Sequence, residues 1–423
     1  MPENNLSSPV QGDGSARGRL RVSVISSIGQ IPISDASVSI SSGTSPQNIF
    51  MQLSTDISGL TETVELPTPA LNYSLEPESI VKPYAEYTIT VTAPGYEPVE
   101  VTGSEMLADT TSEQLIRMNP LATTDEEEKF VFIPAHTLWG DYPPKIPEAE
   151  IKPMPETGEI VLSRVVVPEY VIVHDGVPSD NTAPNYWVKY TDYIKNVASS
   201  EIYATWPEAT IYANILAIMS FTLNRVYTEF YRNQGYNFTI TSSTAYDQKW
   251  IYGRNTYENI DRLVDSIFPN YLSRPGVRQP IFTSYCDGQR VTCSGLSQWG
   301  SKYLGDEGYS AIEIIRYYFG NDMYINTADV ISGVPSSWPG YNLTIGASGD
   351  KVRQLQQQLN RIAGNYPALP TLIADGIYGP LTAESVRTFQ RIFGLPATGV
   401  TDFATWYAIS RIYVAVARLA EPE

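Results

Sequence analysis

Apolar and polar positions alternate with a period of two in four stretches of the first 120 residues. These are Arg19-Leu-Arg-Val-Ser-Val-Ile25, Ala36-Ser-Val-Ser-Ile40, Glu62-Thr-Val-Glu-Leu66 and Glu86-Tyr-Thr-Ile-Thr-Val-Thr92. Such a period marks a strand buried on one face, and Gly29, Pro32, Gly43, Gly59, Pro67, Pro94 and Gly95 punctuate the runs. The spacing predicts an all-β antiparallel sandwich over residues 17–120, after a flexible N-terminus at 1–16. The pattern then lapses. Leu121–Lys129 has no apolar period and holds four consecutive acids at 125–128, which predicts a solvated linker open to proteases. Pro143, Pro144, Pro147, Pro153 and Pro155 predict an extended strap in contact with the next domain.

From there the period changes. Ile160–Val167 and Tyr170–His174 read as strands, and helices are expected over 208–232, 256–268 and 309–319. In the first of these Ile211, Ile215, Ile218, Thr222 and Val226 share one side, and in the second Ile260, Leu263, Val264 and Ile267 follow a 3.6 period. The mixture predicts an α+β domain at 131–340. The tail, 341–416, predicts a three-helix bundle. Val352, Leu355, Leu359 and Ile362 line its first helix. Thr382 is placed to cap a second, with Val386, Phe389, Ile392 and Phe393 on one face and Gly394 as its stop. Thr401 is placed to cap a third, carrying Phe403, Trp406 and Ile409.

Composition narrows the function classes. The 423 residues carry a formal charge of −18, of which residues 1–129 hold −12 and the rest −6. An acidic chain lacks the basic surface that a nucleic-acid backbone or an anionic membrane requires, so neither is an expected partner. The most apolar stretch, Ile215–Met219, is far below the roughly 20 residues of a membrane span, and the N-terminus has no standard secretory signal. Two histidines and two cysteines exclude a His-rich metal site and a disulfide scaffold, and no cofactor is expected.

Three motif sets carry resemblances. Leu343-Thr-Ile-Gly-Ala-Ser-Gly-Asp-Lys-Val-Arg-Gln-Leu-Gln-Gln-Gln-Leu359, Asp375-Gly-Ile-Tyr-Gly-Pro-Leu-Thr382, Val386-Arg-Thr-Phe-Gln390 and Gly394-Leu-Pro-Ala-Thr-Gly-Val400 resemble the peptidoglycan-binding domain of cell-wall hydrolases. Asp375 and Tyr378 are its candidate groove residues. Thr55-Asp-Ile-Ser-Gly59 and Tyr87-Thr-Ile-Thr-Val-Thr-Ala-Pro-Gly-Tyr96 resemble transthyretin-type sandwiches. Val197-Ala-Ser-Ser-Glu-Ile-Tyr-Ala-Thr-Trp-Pro207, Asp247-Gln-Lys-Trp-Ile-Tyr-Gly253 and Ser297-Gln-Trp-Gly300 resemble the stage II sporulation protein D family of lytic transglycosylases. That resemblance implies Glu201 as the catalytic acid and carries Ser297, Gln298 and Gly300 into the site, with Gln248 a looser match. Tyr212, Asn214 and Met219 stand where the family has Lys, Gln and Arg, and Thr292 near its His, so those contacts do not carry over.

The chain as a whole is similar to clostridial spore cortex-lytic enzymes of the SleC type, through Tyr142-Pro-Pro-Lys-Ile-Pro147, Val173-His-Asp-Gly176, Asn196–Tyr203 and Thr241–Asp247. The resemblance implies a zymogen acting on spore cortex in the extracytoplasmic wall during germination, activated by a subtilisin-like protease. The cut is expected within Leu121–Lys129, with the acidic sandwich covering the Glu201 groove until it dissociates. A permanent accessory sandwich is the alternative.

A lytic transglycosylase needs one carboxyl. It protonates the glycosidic oxygen and then takes the proton of the muramic C6 hydroxyl as that oxygen attacks C1, whereas a water-using glycosidase needs two carboxyls. Glu201 must therefore stay protonated, among apolar neighbours such as Ile202, Tyr203 and Trp206. The bland alternative is an ordinary helix-entry carboxylate, kept ionised by the macrodipole. Tyr246, Tyr252 and Tyr285 are candidates to line a sugar groove. Cys286 and Cys293 are free thiols, a disulfide or a weak metal pair, and His174 reads as a structural histidine. Two other function classes stay open: a non-catalytic wall-binding protein that enhances another hydrolase, and an N-acetylmuramoyl-L-alanine amidase.

Overall fold

The computed structural model describes residues 16–43, 45–121, 129–152, 164–333 and 338–417. The expected flexible N-terminus up to 15, the linker interior at 122–128, Pro153, Pro155 and the 160–163 half of a predicted strand lie outside the described residues.

Eight strands form the N-terminal sandwich: β1 (Ala16–Ser26), β2 (Ser37–Ser42), β3 (Ser45–Ser54), β4 (Val64–Thr68), β5 (Ala85–Thr92), β6 (Val99–Met106), β7 (Thr111–Met118) and β8 (Lys129–Phe132). One sheet runs β3-β2-β5-β6-β8 and the other carries β7-β1-β4. The alternation works as predicted, with Leu20, Val22 and Val24 of β1 facing Val38, Ile40, Ile89 and Val91 in one core with no exposure. Each such side chain contributes about 1.5–3 kcal/mol of transfer free energy.

Two expectations are corrected. The sandwich is not purely antiparallel, because β1 pairs with β7 and β6 with β8 in parallel. A parallel pair needs a crossover, and here the chain leaves one sheet and returns through the other. Nor does the sandwich end at 120. β8 lies beyond the acidic linker, and Val131 and Ile133 complete the sandwich core. The central domain in turn gives the β7 sheet a fourth strand, Thr256–Tyr257, paired with Ser112 and Glu113.

The central α+β domain is built around α2 (Glu208–Tyr227), with α1 (Tyr190–Glu201), α3 (Glu258–Ile267), α4 (Gln298–Asp306) and α5 (Ala311–Phe319) around it. Sixteen of the twenty α2 residues are buried, so it is enclosed on every side and a single apolar face understates it. It stops at Tyr227 rather than 232, where Glu229 takes a left-handed φ of 46°. A three-stranded sheet places Tyr170–His174 between Asn185–Lys189 and Ile240–Thr241. Of the predicted strand 160–167, only Val166–Val167 pairs among the described residues.

The C-terminal bundle consists of α6 (Asp350–Ala363), α7 (Pro380–Ile392) and α8 (Phe403–Ala417). Gly394 ends α7 at a φ of 71°, as expected. The caps differ. Gly379 precedes α7 with Pro380 in its first turn, which moves Thr382 inside the helix, where it is buried. Asp402 Oδ1 accepts the Thr405 N–H at 2.9 Å, while Thr401 is buried and holds the Tyr378 hydroxyl at 3.1 Å. No helix among the described residues is long and apolar enough to cross a membrane.

Candidate active site

Glu201 is the last residue of α1, not the first of a helix. Ile202 leaves the helix in extended geometry, and Trp206-Pro207 leads the chain into α2. At a helix C-terminus the unpaired carbonyls disfavour an anion, so the macrodipole opposes ionisation here instead of supporting it. Ile202, Tyr203 and Trp206 are buried in the core just beyond, where Trp206 and Trp299 rings lie 4.9 Å apart. The His136 and Tyr203 rings meet at a tilt, 4.6 Å between centroids, with His136 Nε2 3.3 Å from the Ile202 carbonyl.

Glu201 is only 5% exposed, yet it lines a cavity of about 260 Å³. Its Oε1 accepts the Lys249 N–H at 2.9 Å and its Oε2 accepts the Gln298 side-chain amide at 3.2 Å. Burial pushes the carboxyl above its usual range, against the opposing pull of Lys145 and of these two donors. Asn196, five residues earlier on α1, aims the Lys249 loop: its amide donates to the Ile251 carbonyl at 2.7 Å and accepts the Ile251 N–H at 2.9 Å.

The predicted site residues divide. Gln298 reaches Glu201 directly, and Ser297 caps α4 by accepting the Gly300 N–H at 2.9 Å, which fixes the helix that presents Gln298. Tyr285 is a wall of the same cavity. Gln248 is fully buried, with its amide spent on Tyr193, Thr222 and the Ile218 carbonyl, so it supports the site from behind. Tyr246 is absent from the cavity lining. Tyr252 faces a different space, beside the sandwich, packed on Tyr186 at 4.8 Å. In the C-terminal domain Asp375 is exposed and accepts the Ile377 N–H at 2.8 Å. Tyr378 is fully buried with its hydroxyl on the Gly399 carbonyl at 3.0 Å, which makes it a core residue and not a groove edge.

Cys286 and Cys293 form a disulfide with Cα atoms 5.4 Å apart, which corrects the metal alternative because neither sulfur is left to ligate. The loop they close forms one cavity wall. Asp287 organises it by accepting the N–H groups of Gln289, Arg290 and Val291, and Arg290 donates to the carbonyls of Leu138 and Gly140 on the opposite wall. That wall is the proline strap, which brings Asp141, Tyr142, Pro143, Pro144 and Lys145 to the cavity. No described residue of β1–β8 lines this cavity. His174 lies elsewhere, stacked on Phe238 at 4.5 Å with Nδ1 2.9 Å from Asn185. Among the described residues no group of three His, Cys, Asp or Glu side chains is gathered for a metal ion.

Sequence reasoning missed the frame behind the site. Arg225 is fully buried on α2, bonded to Asp247 at 2.7 Å and to Glu148 of the strap at 2.6 and 2.8 Å. Asp247 also accepts from Tyr231 and Thr241, which pins the Lys249 loop from below. A lone Arg in an apolar helix was the available signal, since a buried charge requires partners.

Comparison with known proteins bears on the C-terminal end. Residues 348–409 match the family model of the peptidoglycan binding domain. A stretch of 77 residues, 18% of the chain, is 42% identical to the zinc D-Ala-D-Ala carboxypeptidase of Streptomyces albus G, and it spans only 28% of that protein's length. Among solved structures, the wild-type catechol 1,2-dioxygenase of Acinetobacter radioresistens is 12% identical over 28% of this chain and 60% of its own, with a TM-score of 0.17. The chlorocatechol 1,2-dioxygenase of Pseudomonas putida is 13% identical over 31% of this chain and 70% of its own, also at 0.17. Scores this low carry no argument about fold or chemistry. The chain is thus multidomain and carries a peptidoglycan-binding domain over residues 348–409.

Proposed function

We propose that the protein is a lytic transglycosylase that cleaves peptidoglycan glycan strands, with Glu201 as its acid and base and the C-terminal bundle as its wall anchor. The observation that carries this reading is Glu201 itself: buried, at the end of a helix, held by two donors and lining one cavity. Burial and the helix end both favour the protonated form that donates to a glycosidic oxygen. The same group, once ionised, accepts the proton of the muramic C6 hydroxyl as that oxygen bonds to C1. The glycosidic bond breaks and the product closes as a 1,6-anhydro ring. Spore cortex as the substrate, and activation by a subtilisin-like protease, belong to this proposal through the resemblance to cortex-lytic enzymes.

A water-using hydrolase is the second reading, favoured by one observation. Asp141 lines the same cavity, whereas the other acid there, Asp287, is committed to its own loop. The partial relative is named for a carboxypeptidase of D-Ala-D-Ala, which agrees with a wall substrate but covers too little of either chain to set the chemistry. Mass analysis of muropeptides released from purified cortex separates these. The proposal expects 1,6-anhydro-muramic ends with no gain in reducing sugar. Reducing ends would favour the hydrolase, and new alanine amino termini an amidase.

A further inference from the structure

The strap puts a cation beside the proposed acid. Lys145 lines the Glu201 cavity with its ammonium above the rings of Phe221 and Tyr285, 4.8 Å from each centroid, and donates to the Asp247 carbonyl. The strap that delivers it is fastened on both sides. Tyr142 Oη donates to the Ala135 carbonyl at 2.6 Å, the Ile146 N–H to Ala245 at 2.7 Å, and the Glu150 carbonyl accepts the Phe282 N–H at 2.8 Å. Arg274 grips Glu150 at 2.7 Å and Arg225 grips Glu148, so the lysine's position is fixed by the fold. An unneutralised ammonium buried this way is costly, and burial pushes Lys145 down to about 8 while Glu201 and Asp247 hold it up.

We infer that Lys145 is a positioning residue for the reaction: the built-in cation of the same cavity, which governs how readily Glu201 takes and releases its proton. This rests on the reading of Glu201 as the acid and base. The two side chains line the same cavity, and no ion pair joins them among the described residues. Other charged and titratable groups facing Glu201 are accounted for. Lys249 acts mainly through its N–H, with its own ammonium over the Tyr142 ring at 5.2 Å. Tyr142, Tyr193 and Tyr285 feel the Glu201 charge and are themselves pushed up by burial, so they stay neutral. On the lysine's side, Arg225 opposes its charge, and Glu148 and Asp247 support it. Asp141 and Arg290 stand on the cavity walls, the latter engaged by two carbonyls. Lys145 is therefore the cation whose loss alters the carboxyl most.

The test is an infrared difference titration of the full chain, following the protonated-carboxyl band that Glu201→Gln removes. In Lys145→Met, which keeps the stem against Phe221 and Tyr285 but loses the charge, the midpoint of that band should rise by about one pH unit or more, a tenfold change in proton affinity. Lys145→Arg should restore the wild-type midpoint, and Lys145→Gln gives the same comparison should the Met variant fail to fold. An unchanged midpoint in the neutral variants, or an equal shift in the Arg variant, would overturn the proposal. Failure of the enzymatic reading shows separately, as undiminished wall lysis by Glu201→Gln.

Discussion

Arg254 meets Glu105 at 2.8 Å where the central domain abuts the sandwich, and both side chains are shut off from water. Burial raises the Glu105 carboxyl and Arg254 pulls it back down, so each ion is tolerable only because the other is present. Asn255 adds a reciprocal pair with the Glu105 backbone at 2.9 Å each way, and Trp206 Nε1 donates to the Ser74 carbonyl at 2.9 Å. The two domains are joined as one buried surface and not merely tethered.

Arg254→Met should therefore destabilise the chain by about 3–5 kcal/mol, the usual cost of stranding one buried partner. Adding Glu105→Gln to it should regain most of that loss. Urea unfolding of both variants checks it. A single variant within about 1 kcal/mol of wild type would mean that water reaches the pair.

A cut in the acidic linker should not release the sandwich. The expectation that the pieces separate once the tether is lost assumed a loose contact. Yet β8, on the far side of the linker, is a strand of the sandwich, and Thr256–Tyr257 extends its other sheet. A chain carrying an inserted protease site within 122–128, once nicked, should elute as a single species on gel filtration in native buffer and split only in denaturant. Separation in native buffer contradicts the account.

Glu201→Gln should be at least as stable as wild type at neutral pH. A carboxyl raised in the folded state binds its proton more tightly there than when unfolded. Stability from it is full below the ordinary glutamate range and is lost as pH rises through the folded value. The variant lacks that loss. Its melting temperature should match or exceed wild type at about pH 7.5, with the difference shrinking toward about pH 4. A variant that loses ground to wild type as the pH is raised over that range would show that the carboxylate is the favoured form.

Reduction of Cys286–Cys293 should loosen the cavity wall more than the fold. The closed loop is short, a separation of 7 residues, so the entropic contribution is only about 2.5 kcal/mol. Activity should fall further than stability, because Arg290 of that loop ties it to the strap. Parallel measurement of melting temperature and wall lysis for Cys286→Ser/Cys293→Ser checks this. Equal losses would make the loop a plain structural staple.

The parts of this molecule legible in sequence are those with a local period. Strands β1, β2, β4 and β5 were readable from alternation, and the C-terminal helices from the spacing of Val352, Leu355, Val386 and Phe389. The two-residue strand at 256–257 and the four-residue β8 have too few positions to show a period, and their partners lie far away in sequence. Caps slipped by one to three residues because Pro380 and Asp402 outcompete the neighbouring threonines. Within the site, Glu201 and Gln298 followed from motifs, and the fold brings them to 3.2 Å. Lys145, Asn196 and Arg225 bond to partners 22–102 positions away, which no spacing rule reveals. Tyr378 misled for a related reason: its hydroxyl suits a groove edge equally well as a buried bond to Gly399.

The central claim, that one buried carboxyl does both proton transfers, is tested most directly by wall lysis with Glu201→Gln. The amide is nearly isosteric and still accepts the Lys249 N–H, but carries no transferable proton. Side by side with wild type on purified cortex, under conditions where wild type releases 1,6-anhydro-muramic ends, the variant should lose about 10²–10⁴ in rate while still binding the wall. Clearance of cortex at the wild-type rate would contradict the account.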